Sequence, residues 1–132
     1  MLTVRNKFLG QGEYGYHPIR KIKVCLSGLR YAIRYDFSVA YKVYLSLLML
    51  LACFFFRQWV DFFLIMAATS LVLIAEMFNS AIEALCDFIE TNENEKIKVI
   101  KDISAAATGV AILLWVVVLV VEITNFWNIS QT

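Results

Sequence analysis

Residues 62–88 read FFLIMAATSLVLIAEMFNSAIEALCDF, an apolar run long enough to cross a bilayer that nevertheless contains Glu76, Asn79, Glu83 and Asp87. At about 100° per residue these four positions fall within roughly an 80° arc of one helix face. Placing a carboxylate near the centre of a bilayer costs about 2.5–3.5 kcal/mol even on the lenient insertion scale. Two carboxylates and an amide on one stripe, with a third carboxylate at the helix end, therefore need a compensating purpose: a bound cation, a proton path or a polar substrate. Any function is to be sought along this stripe.

The rest of the chain agrees with a membrane setting. Of 132 residues, 61% are hydrophobic and the mean hydropathy is +0.69, too apolar for a soluble domain of this size, whose surface would need more polar cover. The positive charge is unevenly spread. Before Val43 stand Arg5, Lys7, Arg20, Lys21, Lys23, Arg30, Arg34 and Lys42, against only Glu13 and Asp36. The positive-inside rule puts this segment in the cytoplasm. The first forty residues hold no apolar core of a signal peptide. Cys25, Cys53 and Cys86 have no CxxC spacing and read as small core hydrophobes, not as a disulfide framework or a zinc site. His17 has no partner in the sequence for metal binding.

Three spans are expected, at about 38–56, 62–87 and 104–123. The first begins early enough to include Lys42, whose stem is expected to snorkel to the headgroups. Residues 57–61 form a short connection, making the first two spans antiparallel neighbours with Trp59 at the interface. Three crossings from an inside start place the loop of residues 90–102, with Lys96, Lys98 and Lys101, on the cytoplasmic side and the C-terminus outside. In the third span Ala105, Ala106, Ala107, Gly109 and Ala111 offer small-xxx-small spacings for close helix contact. Upstream, Ile22, Leu26, Leu29, Ile33 and Phe37 recur every three or four residues, predicting an amphipathic helix over 19–37 on the inner membrane surface. Residues 1–18 read as a flexible tail and residues 19–132 as one membrane domain. The architecture is all-α, and the simplest way to cover the acidic and small-residue faces is a homo-oligomer.

The chemistry follows from what is present. No Walker loop, dinucleotide fingerprint or protein-kinase signature occurs, and a Ser/His/Asp triad is ruled out by the single His. Without a basic, aromatic face on a soluble domain, nucleic acid is not an expected partner. Glu76 and Glu83 lie seven residues apart, about 10 Å along the axis, and Asp87 marks the cytoplasmic end. Hard oxygen ligands of this kind suit Mg²⁺, which takes one or two carboxylates and completes its shell with water and substrate phosphates. Asn79 adds a neutral oxygen, and Lys101 meets phosphate as a point charge. Glu76, deepest of the set, sits where the hydroxyl of a lipid would arrive and is a candidate base. Phosphoryl transfer needs chiefly positioning, metal ions and charge stabilisation, so a sparse set suffices. Two other uses stay open: a structural pairing of the acids with Lys or Arg of a neighbouring subunit, and a proton or cation pathway.

The segment Glu76-Met77-Phe78-Asn79-Ser80-Ala81-Ile82-Glu83, then Asp87, then Lys101-Asp102-Ile103-Ser104-Ala105-Ala106 resembles the small prokaryotic diacylglycerol kinase family. That family's hallmark is ExxNSAIExxxD on the second transmembrane helix and KDxxAA at the opening of the third. Ser27-Gly28-Leu29-Arg30 is similar to its surface-helix segment, and the resemblance extends from about Lys21 to Glu122. It implies a homotrimer with active sites at subunit boundaries, passing the γ-phosphate of MgATP to the hydroxyl of a membrane lipid. That lipid is diacylglycerol, with undecaprenol the nearest rival. By the same resemblance Glu76 is the base, Asn79 and Glu83 handle metal and phosphate, Lys101 and Asp102 bind the nucleotide, and Asp87 lies nearby. Asp36 stands where the family usually has a second metal-binding Glu. Asn92 and Asn94 stand where family members contact adenine with an acid and a histidine.

Overall fold

The computed structural model describes residues 17–132, so the expected tail at 1–18 lies almost wholly outside the described residues. Four helices follow one another: α1 (Pro18–Tyr35), α2 (Phe37–Phe55), α3 (Trp59–Ile89) and α4 (Glu95–Gln131). No strand occurs among the described residues. The last three helices are each long and apolar enough to cross a membrane. The chain is a multi-pass, all-α membrane protein.

Each boundary has a local cause. Pro18 opens α1, where its missing N–H would have had no partner. α1 buries none of its residues. It stops two residues before the predicted end because Asp36 is extended and caps α2: its Oδ1 accepts from the Ser38 N–H at 2.9 Å. α2 ends in a Schellman turn, with the Gln58 N–H donating to the Cys53 carbonyl (2.9 Å) and the Arg57 N–H to that of Phe54 (3.3 Å). Arg57 takes the left-handed conformation (φ 55°) that closes this motif. The connection is therefore only residues 56–58, shorter than expected, and Trp59 and Asp61 belong to the first turn of α3. The predicted loop of residues 90–102 is shorter too. Asn94 accepts from the Lys96 and Ile97 N–H groups and starts α4 at Glu95, so Lys96, Lys98, Lys101 and Asp102 stand on helix. At its far end α4 runs on past residue 123 to Gln131, because polar side chains beyond the apolar stretch do not interrupt it.

α3 packs against both α2 and α4. Cys53, Ile65, Ala68, Val72, Trp115 and Leu119 form the apolar core of this bundle. Several polar groups inside it are satisfied across helices, as a hydrocarbon surrounding favours. The Ser46 hydroxyl accepts from Thr69 Oγ1 and from Trp115 Nε1, both at 2.9 Å, which ties α2, α3 and α4 together at mid-height. Thr108 donates to the Ala75 carbonyl at 3.2 Å, fastening α4 beside Glu76. Most other apolar side chains face outwards; Val110 is 72% and Leu113 65% exposed, the inside-out pattern of helices whose solvent is lipid. Cys25, Cys53 and Cys86 are all free thiols; Cys53 and Cys86 are buried as expected, whereas Cys25 is exposed because α1 buries none of its residues.

Candidate functional site

The acidic stripe of α3 is a real helix face, but its members differ sharply in surroundings. Glu76 is 5% exposed. Its Oε1 accepts two hydrogen bonds, from Ser38 Oγ at 2.8 Å and from Lys42 Nζ at 2.6 Å. Lys42 is fully buried and spends its remaining donors on the Ser38 hydroxyl (2.6 Å) and the Ser38 carbonyl (3.1 Å). The expectation that Lys42 snorkels to the headgroups is therefore wrong. Its ammonium turns inward because Glu76 lies opposite on α3, and an ion pair with three hydrogen bonds is a better refuge than a stretched path to the interface. The ring of Tyr41 covers the same ammonium, 4.5 Å from centroid to Nζ. Both hydrogen bonds described for Glu76 end on Oε1, and none is described at Oε2.

One turn further along α3, Ser80 donates to Asp36 Oδ2 at 3.0 Å, so Asp36 reaches the stripe while also capping α2. Asn79 donates through Nδ2 to Glu83 Oε1 at 3.2 Å, and Asn79 Oδ1 is buried with no partner. The orphaned amide oxygen lies beside an exposed carboxylate whose one described donor is Asn79 itself, and two oxygen acceptors so short of donors are the kind of set a hard cation satisfies. Among the described residues no three His, Cys, Asp or Glu side chains form a ready metal cage. A Mg²⁺ ion that takes one carboxylate, a neutral oxygen and substrate phosphates fits this donor set; a site built wholly from protein ligands does not. Asp36 has both oxygens hydrogen-bonded, to the Ser38 N–H and to the Ser80 hydroxyl.

At the end of α3, Asp87 and Lys101 form an ion pair (2.5 Å) whose side chains are 67% and 34% exposed. They border a cleft of about 680 Å³ at the α3–α4 turn, lined also by Glu90, Asn92, Asn94 and Lys98, a size within the usual range for small-molecule sites. Asn94 spends its side-chain oxygen on capping α4, leaving only its amide N–H₂ to face a ligand. The backbone N–H of Asn92 donates to Glu90 Oε1 at 3.0 Å. Asp102 is exposed on the first turns of α4 and does not line the cleft. Glu76 is also outside it, about 16 Å from Asp87 along α3 at 1.5 Å per residue.

Thus Glu76, Asn79, Glu83 and Asp87 share one helix, Lys101 joins them at the turn, and Asp36 joins them at Ser80. Ser38 and Lys42 were missed. The signal for them is positional: in an antiparallel hairpin turning at Arg57, Ser38 and Glu76 lie the same number of residues from the turn, and Lys42 follows Ser38 by one helical turn.

Fold and site together define a small helical membrane protein with a buried ion pair and a graded row of acids leading from an apolar interior to a polar cleft. The family model of prokaryotic diacylglycerol kinase matches residues 23–123, and the chain belongs to that family. It is similar to the diacylglycerol kinase of Haemophilus influenzae, 26% identical over 99 residues that cover 74% of this chain and 84% of that one. The activity class is accordingly that of a diacylglycerol kinase-type lipid kinase.

Proposed function

We propose that this protein transfers the γ-phosphate of MgATP to the hydroxyl of diacylglycerol, giving phosphatidic acid. The observation that carries this reading is the position of Glu76: a buried carboxylate with one oxygen fixed by Lys42 and Ser38 and the other unengaged, on the same stripe as the polar pair Asn79–Glu83. A lipid hydroxyl reaching this depth donates to Oε2. As its O–H bond breaks, the proton passes to Oε2, and the lipid oxygen bonds to the γ-phosphorus. The bond from that phosphorus to the bridging oxygen breaks, and its electron pair leaves on ADP. Glu76 then returns the proton to solvent.

Asn79 Oδ1 and Glu83 are the atoms suited to hold Mg²⁺ against the phosphates. When bound, that ion neutralises charge on the transferring group. Lys101, released from its exposed partner Asp87, adds a second positive charge at the cleft, where the nucleotide base and ribose would lodge. Asp36 is better suited to ordering α2 against α3 at Ser80 than to a second metal site.

The working unit in this reading is a homotrimer in the bacterial inner membrane, with the N-terminus and the cleft cytoplasmic and the C-terminus outside. The lysine distribution supports this orientation and the outward small-residue face of α4, where Gly109 has open space around it, supports association, while the count of three rests on the family resemblance alone.

The acceptor lipid is tested by offering diacylglycerol and undecaprenol side by side in mixed micelles with labelled ATP and Mg²⁺. Preferential labelling of diacylglycerol is the expected result. Preferential labelling of undecaprenol would keep the chemistry and replace the substrate, whereas no transfer to either would overturn the proposal.

A further inference from the structure

The inference concerns Lys42 and rests on the kinase reading above. Three uses of a fully buried lysine beside the acids of this site are open: a phosphate ligand, a purely structural cross-link, or a device that sets the state of Glu76. The hydrogen bonds decide against the first. All three ammonium donors of Lys42 are engaged, by Ser38 O, Ser38 Oγ and Glu76 Oε1, and Tyr41 covers the same group. Nothing is left to meet a phosphate. Energetics speak against the second, because a buried ion pair gains little over a well-packed apolar pair of the same volume. α2 and α3 already have an uncharged cross-link in Thr69 and Ser46.

We propose that Lys42 is a positioning residue for phosphoryl transfer: with Ser38 it pins Glu76 through Oε1, keeps it a carboxylate inside the apolar layer, and leaves Oε2 as the oxygen that takes the lipid's proton. Both bonds to Glu76 converge on one oxygen, which fixes the carboxylate plane and presents one defined set of lone pairs to the acceptor. A carboxylate at this depth without its counter-ion takes up a proton and ceases to be a base. Ser38 has a matching part, accepting from Lys42 while donating to Glu76.

The test uses the full-length protein in micelles, with Lys42→Met and Lys42→Arg compared with wild type and Glu76→Gln. Lys42→Met is expected to lower kcat about a hundredfold or more, the usual worth of a positioned base, while the KM for MgATP stays where it was. Lys42→Arg keeps the charge and recovers a large part of that loss. A second readout needs no substrate: dicyclohexylcarbodiimide modifies protonated carboxyl groups, so peptide mass spectrometry should find Glu76 labelled in Lys42→Met and unlabelled in wild type and Lys42→Arg. A folded Lys42→Met protein with normal kcat, or with unlabelled Glu76, overturns the proposal. If Lys42→Met does not fold, Lys42→Arg decides alone: turnover with unlabelled Glu76 supports the role, and a folded protein as inactive as Glu76→Gln refutes it. A wild-type protein that phosphorylates no lipid removes the kinase reading itself, an outcome distinct from any result at Lys42.

Discussion

Ser46 is the position where one atom matters most to the fold. Its hydroxyl accepts from Thr69 Oγ1 on α3 and Trp115 Nε1 on α4, and it lies one helical turn beyond Lys42. Ser46→Ala removes both hydrogen bonds by deleting a single oxygen. Interhelical hydrogen bonds in membrane proteins average about 0.6 kcal/mol and reach about 1.7, so two of them set a range of about 1–3 kcal/mol. The two donors do not suffer equally. Thr69 can turn its hydroxyl back to the carbonyl one turn earlier, whereas the indole N–H of Trp115 has no such alternative and is left buried without a partner. The expected loss is therefore in the middle of the range, about 2 kcal/mol, most of it from Trp115. Reversible unfolding in mixed micelles by increasing fractions of a denaturing detergent measures this. A double-mutant cycle of Ser46→Ala with Trp115→Phe should give a larger coupling than one with Thr69→Val. A loss for Ser46→Ala indistinguishable from zero, or the reverse order of couplings, would refute the reasoning.

Other outcomes follow from the same geometry. Lys101→Ala should raise the KM for MgATP at least tenfold while leaving unfolding almost unchanged, because its pair with Asp87 is exposed and such pairs add little to stability; steady-state kinetics and a melting curve check the two halves. Asn79→Ala removes the orphaned Oδ1 and should increase the Mg²⁺ concentration needed for half-maximal transfer, read from a Mg²⁺ titration at fixed ATP, without altering lipid preference. At the opposite end of the bundle Glu122 is 2% exposed with an unpartnered Oε2, within reach of the Asp61 and Asn125 side chains. Glu122→Gln supplies a donor there and should stabilise the protein by about 1 kcal/mol, seen as a higher melting temperature with kinase activity intact.

The helices and their order were legible in the sequence, because three apolar runs separated by short polar segments leave few other arrangements. The stripe Glu76–Asn79–Glu83–Asp87 was legible for a similar reason: period alone puts those residues on one face. Helix ends were read less well. The connections proved shorter than the polar stretches, since Asn94 and the Schellman turn at Arg57 let the helices run on through polar residues. The clearest miss was Lys42. Seen on its own helix, it was a long side chain near the end of a span, and the rule for such residues sends them to the interface. Its true partner lies on another helix, at a level that follows only once the turn is fixed at Arg57. A pairing between helices is a property of register, which hydropathy does not encode. The surroundings of Asp36 depend on register in the same way. Its likeness to a metal-binding position was read from the motif, whereas its hydrogen bonds to the Ser38 N–H and Ser80 come from the break between α1 and α2.

The central claim is that Glu76 is the base for transfer of phosphate to a lipid hydroxyl. It is tested most directly by following labelled γ-phosphate from ATP into diacylglycerol in micelles with Mg²⁺, for wild type and Glu76→Gln at matched protein concentration and matched fold. The expected result is transfer by the wild type and its near-abolition in Glu76→Gln, with the KM for MgATP preserved. A Glu76→Gln protein that transfers phosphate at the wild-type rate would contradict it.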